Sequence, residues 1–99
     1  MKAVFRVDAA ADLKDIVDYY ASLEQTHVAD HIISEIDYAM ILRCQPGFHR
    51  AALYNADSDT YQIAIPSFPY VVSYRVGKTY LDVIGVSHTA RSIDTRRHP

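Results

Sequence analysis

The apolar residues change period once along the chain, at Pro46-Gly47, and that change constrains the fold more than any other feature. Before it, Leu13, Ile16, Val17, Tyr20 and Leu23, and then Ala29, Ile32, Ile33, Ile36, Ala39 and Met40, recur every three or four residues, so each set shares one face of a helix. Asp12, Asp15 and Asp18 fall off the first face and are expected to point away from the core. Asp8 stands where an N-cap belongs, Thr26 is a second cap candidate, and Pro46 forbids further helix. After the proline come short runs rich in Val, Ile and Tyr: 61 to 65, 70 to 76 and 80 to 86. Asn55 to Asp59 reads as a turn between two strands, and Pro66 and Pro69 bracket the next connection. Gly77-Lys78 predicts a two-residue hairpin turn with glycine leading. Residues 3 to 7 add a first strand. The expected class is α+β: an N-terminal strand, a two-helix antiparallel hairpin, then a three- to four-stranded antiparallel sheet with both helices on one face.

The 99 residues fit one domain, with 49% apolar and 22% charged residues, which argues against a disordered or fibrous chain. No run is long enough to span a membrane, the N-terminus lacks a secretory signal, and the lone Cys44 fits a reducing compartment, so a cytoplasmic location is expected. A net charge of −2 is the wrong sign for gripping nucleic acid over a broad face, and no sequence-specific contact with it is expected. The charge is uneven. Eight acids and one base lie between Asp8 and Asp37, whereas Arg91 to Arg97 holds three arginines and one acid. The acidic half is either the solvated side of the helices or a surface that attracts a basic partner.

Candidate chemistry is sparse. His27 and His31 are one helical turn apart, but no third ligand accompanies them, so no metal is expected; three scattered glycines make no phosphate loop, and no cofactor is expected either. The residues that stand out are Tyr70, Tyr74 and Arg75 in Pro69-Tyr-Val-Val-Ser-Tyr-Arg-Val76, and His88 and Arg91 in Val83-Ile-Gly-Val-Ser-His-Thr-Ala-Arg-Ser-Ile93. Alternation puts Val72, Tyr74 and Val76 on one side of a strand and Val71, Ser73 and Arg75 on the other. If the former set meets the helices, Arg75 lies on the open face, and His88 and Arg91 are expected to lean toward it from beyond the last strand.

With the pattern Ala11-Asp-Leu-x-x-Ile16-x-x-Tyr19-Tyr20 and a second helix ending at a proline, these two runs make the chain resemble the RelE/ParE superfamily of bacterial toxins, in its ParE-like, plasmid stabilisation branch. The resemblance covers most of the chain. It implies a type II toxin neutralised by a cognate antitoxin whose C-terminal segment wraps across the sheet and the hairpin. ParE-like members inhibit DNA gyrase; RelE-like members are ribosome-dependent endoribonucleases that cut messenger RNA. Metal-free RNA cleavage needs a base, an acid and cations, and in that alternative His88 would be the base or acid, with Arg75 and Arg91 as the clamp. The run 61 to 65 has no Lys or Arg where the nuclease branch is basic, and no tyrosine follows Arg91, so the favoured reading is a protein inhibitor of gyrase without catalysis of its own. Tyr70, Tyr74, Arg75, His88 and Arg91 are its candidate binding residues, and a homodimer is compatible with the pattern. The cations near the C-terminus predict acids in the antitoxin tail, beside Leu, Ile or Val.

Overall fold

The computed structural model describes residues 2–45 and 52–89. Strand β1 (Lys2–Phe5) leads into helices α1 (Val7–Ser22) and α2 (Thr26–Arg43), followed by β2 (Leu53–Asn55), β3 (Thr60–Ala64), β4 (Tyr70–Val76) and β5 (Tyr80–His88). The sheet has five strands in the order β1-β5-β4-β3-β2. Its antiparallel part reaches four strands, and β1 adds the fifth by pairing parallel with β5, Ala3 opposite Leu81 and Phe5 opposite Val83. The α+β expectation holds; the parallel edge strand was not legible, because a four-residue strand carries no signal for its partner. No helix among the described residues is long and apolar enough to cross a membrane.

Local details differ from the sequence expectations in instructive ways. Asp8 is not the cap of α1: Arg6 holds that position without a side-chain bond, and Asp8 sits in the first turn, where its charge favours the positive end of the helix dipole. Gln25, not Thr26, caps α2, again without a side-chain bond. The hairpin reverses at Glu24, whose φ of 57° is left-handed; Glu24 N–H donates to the Ala21 carbonyl at 3.0 Å and Gln25 N–H to that of Tyr20 at 2.8 Å. This is the Schellman closure of a helix, made here without its usual glycine. At the β4–β5 turn the loop is Lys78-Thr79, one residue later than expected, with Gly77 N–H donating to the Tyr80 carbonyl at 2.9 Å. Glycine is needed there because a Cβ would lie 2.9 Å from that carbonyl oxygen.

One layer of core lies between hairpin and sheet. Ala9 and Ile16 of α1 and Ile32, Ile36 and Met40 of α2 meet Ile63, Val72, Tyr74, Leu81, Val83 and Val86, all buried. The β4 alternation comes out as read, with Tyr70, Val72 and Tyr74 inward and Arg75 exposed. The β4–β5 ladder carries a bulge: Ser73 pairs with Gly85 but Tyr74 with Val83, so Ile84 is the extra residue. Asp12, expected to face solvent, turns inward at this bulge and accepts the Val86 N–H on Oδ2 at 2.8 Å. Gly85 leaves room for it, since a Cβ there would sit 3.4 Å from the same oxygen. Asp12→Ala is therefore expected to destabilise the chain by about 1–3 kcal/mol, the cost of stranding a part-buried amide. Chemical denaturation measures it; a loss within error of an exposed control such as Asp15→Ala would refute the role.

Candidate functional site

The side of the sheet away from the helices presents Arg75 near the β4–β5 turn. Its cross-strand neighbour is Asp82, yet Asp82 pairs with Arg6 instead. Arg75 turns to the β2–β3 turn, donating from Nη2 to the Ser58 carbonyl at 2.9 Å and from Nε to that of Asp59 at 3.3 Å. Asp59 has a φ of 53°, and its carboxylate accepts the Tyr54 hydroxyl at 2.7 Å. That hydrogen bond raises the Tyr54 hydroxyl above its ordinary pKa. Asn55 closes the same turn by accepting the Asp57 N–H at 2.9 Å. Arg75 thus joins strand to turn by its hydrogen bonds, and among the described residues no carboxylate pairs with its charge.

His88 is elsewhere. It closes β5 opposite Tyr70, whose ring it meets edge-on at 5.4 Å, and the following Thr89 is tied to the Pro69 carbonyl by its N–H at 2.8 Å. Arg75 is in register with Asp82 and Tyr70 with His88, so Arg75 and His88 stand at opposite ends of the ladder, about 17 Å apart along the strands at the rise of an extended strand. They also occupy opposite faces, since His88 shares the side of Tyr70. The expected convergence of Arg75 and His88 is not formed, because the turn after Val76 sends β5 back along the full length of β4. Arg91 lies outside the described residues.

Tyr70 and Tyr74 lie on the covered side, 5% and 0% exposed, where they fill the core rather than offer a surface. Tyr74 stacks on Tyr61 at 5.4 Å with 17° between the rings, and Tyr61 meets Tyr54 at 4.9 Å, so an aromatic row runs from the edge strand inward. Burial pushes the Tyr74 hydroxyl above its ordinary pKa, opposed by the positive charge of Arg43 in the last turn of α2. Among the described residues, none hydrogen-bonds to the buried Arg43 Nε. Neither Arg43 nor Asp12 stands out in the sequence as more than a helical residue; only Asp12's place in the quoted helix pattern hinted at a role. His31 packs edge-on against Phe68 at 5.1 Å and faces Glu35 at 3.5 Å, and among the described residues no three of His, Cys, Asp and Glu gather as a metal-ligand set.

Comparison with known proteins agrees with this architecture. The family model for the ParE toxin of type II toxin-antitoxin systems, parDE, matches residues 3–93. A solved structure described as the chromosomal ParDE TA system from P. aeruginosa superimposes with a TM-score of 0.75 at 19% identity, covering 89% of this chain and 95% of that one. No curated protein matches the sequence significantly.

Proposed function

The chain belongs to the ParE toxin family of type II toxin–antitoxin systems, and from that premise we propose that it acts by binding and inhibiting DNA gyrase, held silent by a cognate antitoxin. The observation that carries a binding mechanism is the separation of Arg75 from His88. Phosphodiester cleavage needs proton-transfer groups and cations within hydrogen-bond reach of one phosphate, and two groups at opposite ends and faces of a ladder do not meet one. Strand β3 adds no cation to either. A binding protein has no such requirement: Arg75, braced by the β2–β3 turn, is a preorganised cation on an open sheet face.

The test is a supercoiling assay with purified gyrase and the purified chain. Supercoiling is expected to stop in proportion to added toxin, and induced expression to raise the DNA-damage response while messenger RNA ends stay intact. New transcript ends at codon positions, lost in His88→Ala and Arg91→Ala, would overturn the proposal in favour of ribosome-dependent RNA cleavage.

A further inference from the structure

On the open face of the sheet one carboxylate stands between two guanidinium groups. Asp82 of β5 is in register with Arg75 of β4 on one side and with Val4 of β1 on the other. Arg6 follows Val4 by two residues in extended backbone, which puts it on the same face, and it is the arginine that Asp82 pairs with. Opposite charges directly across an antiparallel ladder attract one another, so Arg75 and Asp82 would be expected to pair. Instead Arg6 takes Asp82, and Arg75 turns the other way, to the Ser58 and Asp59 carbonyls. The helix does not require an arginine at position 6: the residue stands at the cap of α1, yet its side chain makes no cap hydrogen bond. Nor is the ion pair a strong brace for the fold, since the Arg6 side chain is 54% exposed and a pair this open to water adds little stability. What the pair changes is Arg75. With Asp82 occupied, Arg75 has no carboxylate partner among the described residues, and because it donates from Nε and Nη2, its Nη1 is left for an acceptor outside the chain.

We propose that Arg6 is a positioning residue for target binding: it holds Asp82 away from Arg75, so that the guanidinium offered to the target is neither neutralised nor drawn off the β2–β3 turn. The proposal rests on the reading of Arg75 as a target-binding residue. Without the Arg6 side chain, Asp82 has Arg75 directly across the ladder as its partner. Their pairing would cancel the one charge and pull the guanidinium from Ser58 and Asp59, which fix its direction. Binding would then have to break that pair before the target could use Arg75, a cost that Arg6 removes in advance.

Two measurements test this on Arg6→Ala, Asp82→Asn and the double variant: the concentration that half-inhibits supercoiling by purified gyrase, and the NMR resonance of the Arg75 Nε–H, assigned by its absence in Arg75→Ala. Arg6→Ala is expected to need roughly three- to fivefold more protein for half-inhibition, in keeping with the strength of a cross-strand ion pair, and to shift the Arg75 resonance. Asp82→Asn, which removes the competitor, should inhibit at least as well as the wild type. The double variant should recover both the wild-type potency and the wild-type resonance, a rescue that a merely structural role of Arg6 would not produce. Arg6→Lys, which keeps the charge, should stay close to the wild type. A loss in Arg6→Ala that Asp82→Asn does not restore would mean that Arg6 touches the target itself, and overturns the proposal. So does an Arg75 resonance that ignores Arg6→Ala, as when Lys2, the other base of β1, takes Asp82 instead. Arg75→Ala that inhibits gyrase like the wild type is a separate outcome: it removes the binding role of Arg75, and this proposal with it.

Discussion

Replacing Tyr74 by alanine is expected to remove about 3–5 kcal/mol of stability, a large share of the roughly 5–15 kcal/mol that holds a domain of this kind together. The ring is fully buried near the centre of β4, stacks on Tyr61, and carries a hydroxyl under the influence of the Arg43 charge from α2. Alanine would leave a cavity beside a half-buried guanidinium whose Nε lacks a hydrogen-bond partner among the described residues. Tyr74→Phe separates ring from hydroxyl: it keeps the packed ring and removes the polar group, for an expected cost of about 1–2 kcal/mol. A pH arm follows from the direction of the hydroxyl's shift. Below its ordinary pKa of 10.0 the phenol is neutral in both states and pH has no effect through it. As pH rises past that value the unfolded chain ionises first, so stability falls until the raised folded-state pKa is reached. Tyr74→Phe should lose that part of the alkaline decline. Denaturation midpoints followed by far-UV circular dichroism provide the measurement. If Tyr74→Ala melts with the wild type, the ring is not the centre of the core.

Saturation with the antitoxin should raise the melting temperature by roughly 10–20 °C. At a hundred times Kd, a ligand that binds only the folded state contributes about 2.7 kcal/mol, and each kcal/mol shifts a domain of this length by about 4–8 °C. The physical ground is size: a chain of 99 residues buries a modest fraction of its surface, and this one leaves Val7, Tyr19, Tyr38 and Leu53 exposed. Covering such residues stabilises only the folded state. A scan of the chain with and without the neighbouring gene product, at several concentrations, reads the shift. A transition independent of that protein would count against the partnership.

Both experiments bear on residues whose roles the sequence described unevenly. The two helices and the long strands were legible because their periods, 3.6 and 2, are local properties of the chain, and Tyr70 to Val76 alternates cleanly enough to place Arg75 outward before any coordinate is known. The helix caps were misplaced because Asp8 and Thr26 satisfy a propensity that the strand entering α1 and the closure at Glu24 override. Asp12 looked like one more solvated acid, since nothing nearby announces a β5 bulge with a free amide 74 residues later.

The candidate site divides in the same way. That Arg75 and His88 are polar groups at strand positions is written in the chain; that they stand apart is not, because their separation depends on where the Gly77 turn folds β5 back on β4. Spacing and residue type determined the α+β class, the elements and the resemblance to a toxin, since those follow from interactions between near neighbours. Which groups share a face, an end or a partner was decided only in the tertiary structure, where register and packing join residues that the chain holds far apart.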